Sequence, residues 1–160
     1  MKTEAEVNRA VDRYTDMITR ICLYRLKNPA DTQDICQNVF LKYLLLETPF
    51  QSQEHEKAWF IRVTINACKD HLKSLFRHPA VPLELIRETA PSLPETDFSV
   101  LETVLSLPAK YKDVIYLHYY EGCSVPEISK ILGKKETTLY SLLSRGRTLL
   151  KQKLGGDDFA

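Results

Sequence analysis

A chain of 160 residues with 44% hydrophobic residues and only 5 Gly can bury the core of one ordinary domain or two small ones, and reads as helix-rich rather than disordered or all-β. No run of about 18 apolar residues occurs and the start, MKTEAEVNRAVDR, is charged, so neither a membrane span nor a signal peptide is predicted and the cytoplasm is the expected compartment. The net charge of +1 is uneven: residues 1–77 carry 12 Lys/Arg against 10 Asp/Glu, residues 78–102 carry 1 against 5, and residues 103–160 carry 9 against 6, a pattern that suits nucleic-acid contact better than a membrane surface.

Val7, Val11, Tyr14, Ile18, Ile21 and Leu26 share one stripe of a first long helix, which Asn28-Pro29 should end because the residue before a proline avoids helical backbone. Asp31 or Thr32 can cap a second helix, DTQDICQNVFLKYLLLE, stopped by Pro49. Its apolar side is Ile35, Val39, Phe40, Tyr43 and Leu44, with Asp31, Asp34, Gln37 and Asn38 largely elsewhere. A polar loop comes next, with Phe50 as its one large apolar group. The third helix, from about Glu54 to Phe76, places Ala58, Ile61, Ile65, Cys68, Leu72 and Leu75 on a core face. Arg62, Asn66, Lys69 and Lys73 repeat at the same steps on another face, flanked by Asp70 and Arg77. A row of cations with an embedded amide, beside Trp59, can track a phosphate backbone and stack bases; a solvated amphipathic face has the same periodicity.

From His78 to about Phe98 stand four of the eight prolines and the acidic surplus, the composition of a stiff linker and the expected domain boundary. Val100, Leu101, Val104 and Leu105 predict a short helix before Leu107-Pro108, and AKYKDVIYLHYYEG a second that buries Tyr111, Val114, Ile115 and Tyr119. In SVPEISKILGKKETTLYSLLSRGRTLLK, Ser124 caps a short helix with Glu127 three residues on, and Gly133 supplies a left-handed turn. Lys134 to Thr138 then open a longer helix whose inner positions are Leu139, Leu143, Gly146, Leu150 and Leu154. Short helix, glycine turn and polar-fronted helix make a helix-turn-helix, although an ordinary helical hairpin shares the pattern.

Cys22, Cys36, Cys68 and Cys123 are scattered, without CxxC pairing or nearby His, and are expected as buried reduced thiols. No nucleophile–base pair, phosphate-binding glycine loop or metal-ligand cluster stands out, so neither an enzyme nor a cofactor or metal site is expected.

Taken together, DTQDICQNVFLKY, AWFIRVTINACKDHLKS and LPAKYKDVIYLHYYEGCSVPEISKILG, in that order and split by a proline-rich connector, resemble the sigma subunits of bacterial RNA polymerase, specifically the small two-domain extracytoplasmic-function (ECF) class of the sigma-70 superfamily. The resemblance spans about residues 5–77 and 99–153. It implies an all-α chain of two small helical domains: residues 1–77 as sigma region 2, 78–98 as linker, and 99–160 as sigma region 4. It further implies that Asp31, Asp34, Ile35, Gln37 and Asn38 bind the β′ clamp helices of core polymerase, where an acidic and amide face suits a basic partner. By the same resemblance Trp59, Arg62, Asn66, Lys69, Asp70 and Lys73 recognise and open the −10 promoter element, and Phe50, Gln51 and Ser52 hold a base displaced from the non-template strand. Lys134, Lys135, Thr137, Thr138, Tyr140, Ser141 and Arg145 face the −35 element, and the β flap tethers that domain. An anti-sigma protein is a further candidate partner.

This chain departs from the family in the second helix of the helix-turn-helix. Many relatives carry G-T-V-K-S-R-L-S-R-A-R where this chain has T-T-L-Y-S-L-L-S-R-G-R. Tyr140 and Leu142 therefore stand where a Lys and an Arg contact phosphate or guanine. Gly146 replaces a better helix former at a cost of about 1 kcal/mol. Leu142 and Leu149 are either packed under the preceding helix or an exposed apolar patch. A regulator that binds DNA without polymerase, and a scaffold that has lost promoter recognition, are the competing readings.

Overall fold

The computed structural model describes residues 1–74 and 98–155, all helices and turns. The segment expected as a linker, with Leu75 and Arg77 before it, lies almost wholly outside the described residues. The chain divides into two compact units, Met1–Ser92 and Leu93–Ala160.

The first unit is three mutually packed helices: α1 (Glu4–Leu26), α2 (Pro29–Leu45) and α3 (Gln53–Ser74). Thr3 caps α1, and Lys27 closes it in a left-handed conformation. Asn28, not Asp31 or Thr32, caps α2. Its side-chain oxygen accepts from Ala30 N at 3.0 Å and Asp31 N at 3.2 Å, and Pro29 takes the first position, where no N–H is needed. Thr32 instead turns its hydroxyl back to the Asn28 carbonyl and is buried. α2 stops at Leu45, short of Pro49.

Tyr14, Ile18, Ile21 and Leu26 enter the core as the spacing predicts, whereas Val11 is exposed. The buried arc of α3 is rotated from expectation: Phe60, Ile61, Thr64, Ile65 and Cys68 are inside, Ala58 is half-buried and Leu72 is 40% exposed. A helix packed on two partners buries an arc wider than one stripe, and here it takes in Phe60. Thr64 is tolerated inside because its hydroxyl donates to the Phe60 carbonyl at 2.7 Å. Phe60 is the hub of an aromatic cluster, with ring centroids 4.5 Å from Tyr14, 5.0 Å from Tyr43, 5.0 Å from Trp59 and 5.6 Å from Phe40. Such pairs add about 0.5–1.5 kcal/mol each beyond their buried area.

The second unit comprises α4 (Phe98–Leu105), α5 (Ala109–Ile115) running into a π-helical turn at Tyr116–Tyr120, α6 (Val125–Leu132) and α7 (Glu136–Leu154). α7 is the spine, packed by α4, α5 and α6. The π-turn widens the helix and so shifts the register of its last residues. Tyr116 and Leu117 point in, and Tyr119, expected in the core, is 41% exposed, with its hydroxyl accepting from Arg147 at 2.9 Å. Ser124 and Glu127 form a reciprocal capping box: Glu127 N donates to Ser124 Oγ at 3.3 Å and Ser124 N to Glu127 Oε1 at 2.8 Å. Gly133 turns the chain at φ 68°, the left-handed region that favours glycine.

Gly146 faces α5. A Cβ there would meet Ile115 Cγ1 at 3.0 Å and Cδ1 at 3.1 Å, so its lost helix propensity is exchanged for close approach of the two helices. Leu142 is buried and Leu149 half-buried, so this pair packs inward.

Candidate nucleic-acid interface

On α3, Arg62, Asn66, Lys69, Asp70 and Lys73 are all exposed and succeed one another up the solvent face. The core arc on the opposite side fixes them there. Trp59 is half-buried at the lower end of this row, its ring 5.9 Å from Phe50 and 6.0 Å from Tyr43. It thus joins an aromatic shelf rather than standing alone on the face.

The loop before α3 is held from both sides. Phe50 lies nearly parallel to Tyr43 (8°, centroids 6.2 Å apart) and edge-on to His55 at 5.2 Å. Gln51 N donates to His55 Nδ1 at 3.2 Å, and Ser52 Oγ accepts from His55 N at 3.1 Å as the cap of α3. Gln51 and Ser52 are exposed, and Phe50 is half-buried.

Beside this loop a polar cleft of about 290 Å³ is lined by Lys2, Arg9 and Arg13 with Glu6, Tyr43, Phe50, Ser52 and Glu56. Lys2 Nζ stands 5.4 Å from the Tyr43 ring and 5.3 Å from that of Phe50. Sequence reasoning missed these three cations, which are near in space to the loop but some forty residues away along the chain. The one available signal was the position of Arg9 and Arg13 on the first helix, off its apolar stripe.

Under the cleft Glu56 is buried, and both of its oxygens accept tyrosine hydroxyls: Tyr14 at 2.9 Å and Tyr43 at 3.0 Å. Burial, then the Glu56 carboxylate, pushes both phenols above their ordinary range.

On α2, Asp34, Gln37 and Asn38 are exposed, and Asp31 is half-buried with Oδ2 3.0 Å from His71 Nε2 of α3. Ile35 is only 4% exposed and belongs to the core, as its place on the apolar stripe requires. Gln37 also borders an apolar groove of about 460 Å³ between α1 and α2, floored by Val7, Val11, Phe40, Leu41 and Leu44.

In the second unit Lys134, Lys135, Thr137, Thr138, Tyr140, Ser141 and Arg145 are all exposed, on the turn and the outward face of the first half of α7. Tyr140, at 58% exposure, is the largest group there. Leu139, Leu142, Leu143 and Gly146 hold the inward face.

Two cysteines far apart in sequence meet between α1 and α3, where Cys22 Sγ and Cys68 Sγ are 3.7 Å apart. The hydrogen bond with Cys68 and burial push the Cys22 thiol up, and burial does the same to Cys36. Among the described residues no group of three or more His, Cys, Asp or Glu could hold a metal ion, and no helix is long and apolar enough to cross a membrane.

A three-helix unit with an exposed cationic row on α3, and a second unit ending in a capped helix-turn-helix, define the class. Residues 10–77 match the family described as Sigma-70 region 2, and residues 97–150 match Sigma-70, region 4. The chain belongs to the sigma-70 family of RNA polymerase sigma factors, non-catalytic subunits that direct polymerase to promoters. Within that family it is an ECF sigma factor. It is similar to the ECF sigma factor SigM of Mycobacterium tuberculosis (26% identity over 145 residues, 89% of this chain and 74% of SigM). It is likewise similar to SigW of Bacillus subtilis (26%, covering 90% and 86%) and to BldN of Streptomyces coelicolor (27%, covering 93% and 60%). A solved structure described as an RsbN–BldN complex aligns at 24% identity over 94% of this chain and 93% of that one, with a TM-score of 0.38.

Proposed function

We propose that this ECF sigma factor divides its work by helix. The exposed face of α2, Asp34, Gln37 and Asn38, with Asp31 steadied by His71, takes the β′ clamp helices of core polymerase. The α3 row of Arg62, Asn66, Lys69, Asp70 and Lys73 recognises and opens the −10 element, and Phe50, Gln51 and Ser52 with Trp59 receive a displaced base. Lys134, Lys135, Thr137, Thr138, Tyr140, Ser141 and Arg145 read the −35 element in the major groove, and other surface of the second unit meets the β flap. The chain works in the cytoplasm, and an anti-sigma protein completes its partners, with the apolar α1–α2 groove as the surface to test.

The observation that most supports this reading is the meeting on α3 of a solvent-facing cation–amide row with an aromatic shelf and a basic cleft. Cations track phosphates whatever the sequence, and aromatic faces take bases that have left the stack, so the two together favour single-stranded over duplex DNA. A pull-down on purified core polymerase tests the assignment of α2. The wild-type chain binds, and Asp34→Arg with Gln37→Ala weakens binding at least tenfold while leaving the fold intact by circular dichroism. Undiminished binding of the double variant would remove α2 from the interface.

A further inference from the structure

A carboxylate among aromatic rings is an expensive way to fill a core, because a charge taken out of water must be repaid by well-placed donors. Glu56 is 9% exposed and sits beside Phe60, the aromatic hub. A leucine or phenylalanine would fill that space at lower cost. Both Glu56 oxygens are engaged, by Tyr14 from α1 at 2.9 Å and by Tyr43 from α2 at 3.0 Å, so one side chain of α3 orients one tyrosine on each neighbouring helix. The backbone of Glu56 also faces the loop, its N–H donating to the Ser52 carbonyl at 3.1 Å.

Tyr43 is the link outward. Its ring is fully buried, yet it is the surface on which Phe50 lies nearly parallel, and Phe50 is the one large apolar anchor of the Phe50–Ser52 loop. A phenol oxygen lies on the axis of the last side-chain bond, so a tie to the hydroxyl fixes where the ring stands, while the packed rings around it set its plane. The tie to Glu56 fixes the position of the Tyr43 ring, and with it the stance of Phe50 against Trp59 and of Lys2 over both rings. The cations of the cleft are then held at a set distance from the loop.

We propose that Glu56 is a positioning residue for single-strand capture: by holding the Tyr43 hydroxyl it aligns the Phe50–Ser52 loop with the basic cleft, so that a displaced base and its phosphate are met together. This rests on the reading of that loop as the part that receives a base. Glu56 touches no DNA in this scheme and carries no charge to it.

The test uses the full chain bound to core polymerase. Its probe is a fluorescent single-stranded oligodeoxynucleotide bearing the non-template −10 sequence of a promoter selected with the wild-type chain, together with copies made abasic at each position in turn. Stacking of one base is worth enough to give the wild type an intact-over-abasic affinity ratio of about tenfold at the captured position. In Glu56→Gln, which keeps the volume but puts an NH2 donor where one of the two hydroxyls now finds an accepting oxygen, that ratio falls to about twofold. Tyr43→Phe, which keeps the ring and loses the tie, gives the same fall. Core affinity stays within twofold in both, and the salt dependence of oligonucleotide binding keeps its slope because no phosphate contact is lost. A generalised loss of packing would lower core affinity and melting temperature without selecting the abasic position. If Glu56→Gln fails to fold, Tyr43→Phe decides alone. An unchanged ratio in a folded variant overturns the proposal. If the wild type itself binds core yet ignores the abasic site at every position, the reading of the loop is wrong and the proposal falls with it.

Discussion

The outer faces of α3 and α7 are both polar and exposed, but in the proposed scheme they meet different targets. α3 sets Arg62, Lys69 and Lys73 about one turn apart around Asn66, and rests its lower end on Trp59, Phe50 and Tyr43. The first turns of α7 present four hydroxyls, from Thr137, Thr138, Tyr140 and Ser141, with Arg145 about one turn further on; Lys134 and Lys135 sit off the helix at the turn. A helix that meets separated strands needs charge along its length and aromatic faces nearby. A helix that enters a groove needs short donors and acceptors for base edges and leaves the phosphates to its flanks. The two helices therefore differ less in net charge than in where the charge stands relative to the rings. The side chains directly beneath the two helices differ as well, although the second unit holds a buried carboxylate–tyrosine pair of its own, Glu121 and Tyr116. α3 is underpinned by a polar knot at Glu56, whereas α7 is seated on aliphatic side chains and one glycine.

The strongest way to break this comparison is to collapse one side of it. Leu139 is wholly buried under the outward face of α7, and Leu139→Ala should cost the second unit about 3 kcal/mol. The protein's single tryptophan, Trp59, reports on the first unit. Urea unfolding followed by circular dichroism should thus shift while the fluorescence transition holds its midpoint; a common shift would mean that the units unfold as one. Next in size, Gly146→Val drives a branched side chain into Ile115 and should destabilise the second unit by about 2 kcal/mol, read in the same experiment. A neutral or stabilising result would show that Ile115 yields and that the glycine is not there for close packing.

Salt dependence sharpens the comparison without disturbing either core. Lys69→Ala with Lys73→Ala should lower the slope of log affinity against log salt by about 1.4 for single-stranded DNA, while Lys134→Ala with Lys135→Ala leaves that slope and lowers the duplex slope by about 1.8. Exchange of the two effects would reverse the roles of the helices. The smallest effect concerns pH. Tyr14 and Tyr43 have folded-state pKa values raised by burial and by Glu56, so the unfolded chain loses those protons first. Their contribution is present below the ordinary tyrosine value of about 10 and is lost as pH rises above it. The first unit should weaken above that pH in fluorescence-monitored urea unfolding, and Tyr43→Phe should reduce the slope. A slope unchanged by the substitution would separate Tyr43 from the titration.

Much of the fold is legible in the sequence because local rules set it. The Ser124–Glu127 capping box, the Gly133 turn and the inward leucines of α7 come from spacing and backbone chemistry alone, and each stands where the pattern puts it. The misses were decided by neighbours. Asn28-Pro29 ends α1 as its pattern requires, but Asn28 also caps α2, ahead of the Asp31 or Thr32 expected in that place. Tyr119 left the core because a π-turn changed the register, which a 3.6-residue period cannot foresee. Ile35 matches the family's polymerase-binding run, but its own apolar stripe puts it inside. The site is legible as a row on α3 and a face on α7. It is not legible as a cleft, because Lys2, Arg9 and Arg13 reach the Phe50 loop only once three helices have packed. Glu56 reads as one acid in a polar loop, and nothing local marks a carboxylate that two distant tyrosines will enclose.

The central claim is that strand opening belongs to the exposed row of α3 and duplex grip to α7. Permanganate probing and hydroxyl-radical footprinting of one promoter complex, formed with core polymerase and the Asn66→Ala chain, address it most directly. The expected result is an upstream footprint equal to wild type together with loss of thymine reactivity across the −10 element. Reactivity at the wild-type level, or loss of the upstream footprint along with it, would contradict the assignment of opening to that row.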